Sequence, residues 1–269
     1  SDKMRCIIYI ACHKSKGEVV DKFFNHTSSR VKKKPKKENE IGIITQDEMG
    51  LELDIFNIKP ISLDISTHYN DNFQEINDII IKSLTEEQNG IILLHGIKGS
   101  GKTTYIRYLT QAVKGKRIIY VSPDIAENIS NPNFVSFFMR YPNSIIIIED
   151  AENILKTRKA GGNQSVSNLL NLGDGLLGDI LQIQIICTFN SEIQEIDEAI
   201  RRPGRLIAEY KFDKLTKEKA QELVKIINPG KEIQIDKPMT LAEIYNLHKK
   251  KFVDEQNVIG FFQHTKNNK

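Results

Sequence analysis

The segment Gly96-Ile-Lys-Gly-Ser-Gly-Lys102-Thr103 constrains this chain more than any other. It fits the pattern G-x-x-x-x-G-K-[ST] and stands between an apolar run, Ile91 to Leu94, and a helix-compatible stretch, Thr103 to Val113. A strand, a glycine-rich loop and a helix in that order make a phosphate cradle. Gly96, Gly99 and Gly101 let backbone N–H groups turn inward, and the helix that follows presents the positive end of its dipole. On this reading Gly96, Ile97, Lys98, Gly99, Ser100, Gly101, Lys102, Thr103 and Thr104 hold the phosphates of ATP. Lys102 neutralises the β and γ phosphates, and Thr103 offers its hydroxyl to Mg²⁺, a small hard cation that prefers oxygen ligands.

The surrounding pattern says what fold carries the loop. Phe73, Ile76, Ile79, Ile80 and Leu84 recur at helical spacing, so a helix over Asn72 to Leu84 leads into Gly90. Buried-type strands follow at Ile91 to His95, Arg117 to Val121, Ser144 to Ile148 and Ile183 to Phe189, separated by helical stretches such as Thr103 to Val113 and Ser165 to Leu172. Strands alternating with helices predict an α/β fold, a parallel sheet of the P-loop NTPase type with helices on both faces.

A phosphate loop alone does not separate motors from kinases or switches, so the carboxylates matter. Glu149 and Asp150 end the apolar run Ile145 to Ile148, and strand ends of this kind are where open α/β sheets bind ligands. One carboxylate can hold Mg²⁺, and the other can orient or deprotonate an attacking water. The strand Ile183 to Phe189 leads into Asn190, and Arg201-Arg-Pro-Gly-Arg205 follows within one helix length.

These motifs, in this order, resemble the AAA+ family over roughly His68 to Phe212, and the resemblance continues more weakly into a small helical lid over Leu215 to Ile227 and Leu241 to Lys250. The resemblance implies that Glu149 takes the magnesium role of the Walker B pair, together with Thr103, and that Asp150 activates water. It implies that Asn190 is the sensor-one residue, and that Arg202 and Arg205 are arginine fingers reaching the γ phosphate of a neighbouring subunit. Leu169 to Gly175 also resembles the segment before sensor one. The family reads Asp-Glu where this chain reads Glu149-Asp150, and the stretch Ser122 to Pro142 contains no glycine where protein-threading members carry a pore loop. Asp213 to Phe252 contains no arginine for a sensor-two role, leaving Lys214 or Lys237 as substitutes. The family reading implies an ATP hydrolase working as a homo-oligomer, with a hexameric ring as one form, that remodels a macromolecular partner, protein favoured over nucleic acid. Its alternative is a nucleotide-dependent binding or assembly switch whose turnover is incidental.

Residues 1–65 fall outside the resemblance and read as a small α/β appendage. It has a strand over Arg5 to Ala11, a helix over Gly17 to Phe24, two short strand-like runs, and a basic linker. Residues 66–212 form the nucleotide-binding core and 213–269 the lid and tail. Lys32, Lys33, Lys34, Lys36 and Lys37 carry five of the positive charges in a chain of net charge +3, so the remainder is slightly acidic. A solvated linker explains that cluster better than a nucleic-acid contact. The longest apolar run, Cys6 to Cys12, is far short of the roughly 20 residues of a membrane span, so no membrane role is expected. Cys6, Cys12 and Cys187 have no metal-ligand spacing and fit a reducing cytoplasm. His95, beside the loop, reads as a packed strand-end residue, and the adenine contacts stay open, with His68 and Tyr69 among the candidates.

Overall fold

A computed structural model describes residues 17–30, 39–47, 50–126, 132–155, 170, 175–190 and 197–247. The chain divides into two units, Ser1–Lys37 and Glu38–Lys269. In the first, α1 spans Gly17–Arg30, longer than the sequence pattern suggested, with Glu18 in its first turn where the helix dipole favours an acid. The strand expected at Arg5 to Ala11 and the lysine cluster lie outside the described residues.

The second unit is built on seven strands. β1 (Glu40–Asp47), β2 (Gly50–Asn57), β3 (Gly90–Gly96), β4 (Arg117–Tyr120), β5 (Ser144–Ile148), β6 (Gln184–Phe189) and β7 (Leu206–Phe212) lie in the order β2-β1-β4-β5-β6-β3-β7. β1 and β2 pair antiparallel, and every other pairing is parallel. The strand-like runs read from the N-terminal sequence are therefore part of the same sheet as the phosphate-loop strand, because β1 pairs with β4 through Gly42 and Ile43.

Around the sheet run α2 (Ile65–His68), α3 (Asn72–Glu86), α4 (Lys102–Ala112), α5 (Pro123–Ala126), α6 (Pro132–Met139), α7 (Glu152–Leu155), α8 (Gly175–Leu181), α9 (Lys217–Ile227) and α10 (Leu241–Tyr245). The period-two alternation of the strands sorts the core into two layers. Ile91, Leu93, Ile146 and Ile148 face one layer with Phe137, Phe138 and Ile154, while Ile92, Leu94, Ile145 and Ile147 face the other with Phe73, Tyr105 and Leu109. Both faces are covered, which is why β3, β5 and β6 are unbroken apolar runs. This is an α/β P-loop NTPase fold.

Two details of the fold position the site. An aromatic cluster of Tyr69, Phe73, Tyr105, Tyr210 and Phe212 packs edge to face, with Tyr69 and Phe73 at 4.9 Å, and joins α2 and α3 to α4 and β7. The lid docks on the same neighbourhood. Asn70 donates from its side chain to the Lys214 carbonyl at 3.0 Å, and Lys219 reaches Asp71 at 2.6 Å. α10 begins with a capping box in which Thr240 and Glu243 satisfy each other's backbone N–H groups. That closed cap holds the start of a short helix against the phosphate loop, since Ala242 N–H donates to the Gly99 carbonyl at 3.0 Å. The lid helix expected to run on to Lys250 spans only Leu241–Tyr245, and residues 248–250 lie outside the described residues.

Candidate nucleotide-binding site

The loop leaves β3 at Gly96 and enters α4 at Lys102. Gly96 has φ +128°, and a Cβ placed there would lie 1.9 Å from the Phe212 carbonyl oxygen, so only glycine lets the end of β7 close on the loop. Gly101, at φ +101°, is the N-cap of α4, and a Cβ there would meet Leu241 of the lid at 2.4 Å. Tyr69 donates its hydroxyl to the Gly101 carbonyl at 3.0 Å, bracing the loop from the opposite side.

Lys102 is buried, and its ammonium donates to the Gly96 and Ile97 carbonyls at 2.9 and 3.0 Å, so the loop's own backbone aims it across the cradle. Burial lowers its pKa, while the nearby Asp150, Glu152 and Glu149 carboxylates act in the opposite direction. Thr103 donates its hydroxyl to Glu149 Oε1 at 2.6 Å, across from α4 to the end of β5. A hydroxyl and one or two carboxylates at a strand end form an all-oxygen donor set. Among the described residues no cluster of three or more His, Cys, Asp or Glu gathers at one point. That combination fits Mg²⁺, which binds nucleotides through few protein ligands and keeps several waters.

Asp150 stands in the left-handed region at φ +53°, a conformation that asparagine and aspartate adopt more readily than other residues bearing a Cβ. The kink is pinned where Ala151 N–H donates to the Thr188 carbonyl at 2.8 Å, tying the end of β5 to β6. Asn190 donates its side-chain amide to Asp150 Oδ1 at 3.0 Å, and its backbone N–H donates to Glu152 Oε1 at 2.6 Å. Glu152 escaped the sequence reading because it belongs to no motif. The available signal was an acid in the first turn of a helix just after the carboxylate pair.

Most of these groups line one cavity of about 1010 Å³, a volume that accommodates a nucleotide, while Gly96 and Glu149 lie outside its lining. Lys98, Gly99, Gly101, Lys102, Thr103 and Thr104 form its phosphate end, with Asp150, Glu152, Thr188 and Asn190 beside them. Its other end is walled by Ile61, Ser62, Leu63 and His68 from the segment before the core and by Leu241, Ala242 and Tyr245 from the lid. His68 Nε2 and the Tyr245 hydroxyl share a hydrogen bond of 2.8 Å, closing the wall between segment and lid. With its amide turned to match its partners, Gln111 of α4 pairs with both backbone groups of Ile61, at 2.9 and 3.2 Å. Tyr69 is buried and acts on the loop rather than lining the cavity. Lys214 and Lys237, the proposed sensor-two substitutes, are not among the lining residues and instead lie near Glu243, whose pKa they help to lower.

Arg202 and Arg205 are placed elsewhere. They belong to the turn between a 3-10 segment, Glu198–Arg201, and β7. Ile91 N–H donates to the Arg205 carbonyl at 2.8 Å, which sets this turn at the amino end of β3, whereas the phosphate loop leaves its carboxyl end. At about 3.3 Å per residue, Ile91 and Gly96 are roughly 16 Å apart, farther than an arginine side chain extends. Arg205 donates to the Ala199 carbonyl at 3.1 Å, and Arg202 is exposed. The loop expected at Arg158 to Asn163 and most of Leu169 to Gly175 lie outside the described residues.

Residues 92–214 match the family described as ATPase family associated with various cellular activities (AAA). The chain carries an AAA domain. The matched stretch runs from within β3 to two residues beyond β7 and so contains the loop, the carboxylates, Asn190 and the arginine turn. The AAA domain chain is also similar to a Thermoplasma acidophilum protein named as an ORC1-type DNA replication protein, 24% identical over 177 residues. That similarity covers 56% of this chain and 49% of the relative, so the chain matches about half the length of that protein. Among the described residues no helix is long and apolar enough to cross a membrane.

Proposed function

We propose that this chain binds and hydrolyses Mg-ATP and does so as part of an oligomer, turning over nucleotide to remodel a macromolecular partner. The observation that carries the reading is the pair of strand-end contacts, Thr103 to Glu149 at 2.6 Å and Asn190 to Asp150 at 3.0 Å, beside the loop lysine. They support a reading in which the two carboxylates have separate jobs. Glu149, already paired with the loop hydroxyl, is placed to share a magnesium ion with Thr103. Mg²⁺ supplies charge neutralisation and orientation of the phosphates there. Asp150, held by Asn190 and turned by its left-handed backbone, is placed to accept a proton from, or orient, the attacking water. Lys102 draws the phosphates into the cradle.

Arg202 and Arg205, a strand's length from their own pocket, complete a neighbour's site in this reading. Guanidinium groups remain charged and offer a rigid fork to phosphate oxygens. The test is ATP turnover by the purified chain across a dilution series, with native mass measured at each concentration. Specific activity should rise with assembly. Full activity in samples that contain only monomer would rule out the shared site.

A second reading of the partner has its own observation. The relative's name refers to DNA replication, which makes DNA a candidate alongside a protein substrate. Stimulation of turnover by duplex DNA but not by an unfolded protein would select it, and the reverse would select the protein.

A further inference from the structure

We infer that Glu209 is a positioning residue for the arginine turn: by gripping Arg201 it holds Arg202 and Arg205 in the orientation they need at a neighbouring subunit. This rests on the shared-site reading above. Arg201 is the first arginine of the turn, and it does not point outward. Its Nε–H donates to Glu209 Oε2 and its Nη2 to Glu209 Oε1, both at 3.1 Å. Two parallel bonds from a planar fork fix direction as well as distance, which one ammonium contact would not do. Both partners are largely withdrawn from water, at 28% and 19% side-chain exposure.

The location of the clamp explains what it can transmit. Glu209 pairs in register with Leu93, so it stands on the sheet face that Leu93 shares with the core, in the middle of β3. A leucine there would extend that apolar layer, whereas this chain carries a carboxylate. Between Arg201 and the sheet, Ile200 is fully buried in the same layer, so the 3-10 segment is held by one apolar plug and one ionic fork. Arg202 follows Arg201 directly and Arg205 N–H donates to the Arg202 carbonyl at 3.1 Å, so the orientation of Arg201 sets the whole turn.

Glu209 also meets the nucleotide end. His95 Nε2 lies 3.9 Å from Glu209 Oε1, and His95 immediately precedes Gly96 of the loop. The His95 ring stacks on Phe189 at 5.2 Å, next to Asn190, and neither ring nitrogen has a hydrogen-bond partner among the described residues. Glu209 thus lies against both Arg201 of the turn and His95 of the loop strand, whose ring in turn stacks on the strand that leads to Asn190.

A positioning role predicts an asymmetry between giving and receiving arginines. Lys102→Ala protein keeps its arginine turn, while Arg205→Ala protein keeps its nucleotide loop, so the former acts as donor and the latter as acceptor. Adding Glu209→Gln to the Lys102→Ala donor should lower the turnover it induces in Arg205→Ala protein on the order of 10²-fold, the scale expected for a misaligned catalytic group, with unchanged KM for ATP. Glu209→Gln alone, with its own loop intact, should still be activated by Lys102→Ala donor to the wild-type level. Arg201→Lys, which keeps the charge but loses the fork, should fall between, and it carries the same test if Glu209→Gln does not fold. Undiminished donation by the double variant overturns the inference. An equal loss of donating and receiving also overturns it, since that marks general damage to the fold. If the plain Lys102→Ala donor fails to activate Arg205→Ala protein, the shared-site reading itself is wrong and the inference falls with it.

Discussion

At the carboxyl ends of β3, β5 and β6, Thr103 meets Glu149 and Asn190 meets Asp150 within one chain, with Lys102 held beside them by the loop carbonyls. At the amino end of β3, the turn Arg202 to Arg205 is anchored through the Arg205 carbonyl and lies a strand's length from the phosphate loop of its own chain. Parallel strands explain the first region, since they deliver all their carboxyl ends to one edge, and a loop, a carboxylate pair and Asn190 become neighbours without being close in sequence. The second region shows the opposite logic. The Arg201 to Glu209 fork and the buried Ile200 hold the turn, and the pairing of Arg205 with Ile91 keeps it at the end of β3 opposite the phosphate loop. In the proposed shared site, this separation ties chemistry to assembly.

The sharpest way to break this contrast is at the turn. Arg205→Ala should lower turnover roughly 10³- to 10⁵-fold, the range seen where arginine fingers act, while ATP binding stays at the wild-type level. Mixing it with Lys102→Ala protein should restore activity, measured as phosphate release. A mixture no more active than its parts would mean that the two ends of the sheet do not cooperate across subunits.

Within the pocket the two carboxylates should separate next. Asp150→Asn should cut turnover about 10²- to 10⁴-fold, the usual contribution of a general base, with nucleotide still bound, as read by fluorescent-nucleotide titration beside a turnover assay. Glu149→Gln should instead weaken the dependence of binding on Mg²⁺. If Glu149→Gln binds normally but does not turn over while Asp150→Asn is active, the two roles are exchanged. Lys102→Ala should lower ATP affinity on the order of 10²-fold, because it removes a largely buried cation from its charge partner. Calorimetry that finds the affinity unchanged would remove the loop from the site.

The smallest effect probes the contact between the two regions. Burial pushes His95 down from 6.5 to about 4, with Glu209 pulling the other way and Lys211, Arg201 and Lys102 adding to the burial effect. The folded pKa lies below the unfolded one, so as pH falls the unfolded chain takes the proton first. Stability is then full above pH 6.5 and is lost progressively toward pH 4, by about 2 kcal/mol at pH 5 from this residue. His95→Phe keeps the stack on Phe189 and removes the titration. Urea unfolding at pH 7 and pH 5 should show a smaller loss in the variant than in the wild type, and equal losses would mean His95 is not buried neutral.

Much of this could be read from the residues because it was local. The loop pattern, the strand Ser144 to Ile148 and the strand-end carboxylates are contiguous runs whose chemistry depends on near neighbours. Helix Asn72 to Leu84 came out at Asn72–Glu86, since its apolar spacing matches the buried Phe73, Ile80 and Leu84. What escaped was contact between distant segments. Glu152, Tyr245 and the wall Ile61 to Leu63 carry no motif, and it is the turn after β5, the docking of α10 on Gly99 and the pairing of Ile61 with Gln111 that bring them to the cavity. The exchange of hydrogen bonds between His68 and Tyr245, and between Glu209 and Arg201, has no periodicity to reveal it.

From the sequence by itself come the class of fold, the phosphate cradle and the identities of the residues that can do the chemistry, because a glycine at a required backbone turn and a charge at a strand end are local necessities. Only the tertiary structure decided which of those residues meet. It paired Thr103 with Glu149 and Asn190 with Asp150, and it sent Arg202 and Arg205 to the far end of β3. The reason is that register and crossover geometry, not composition, set which ends of a parallel sheet lie together.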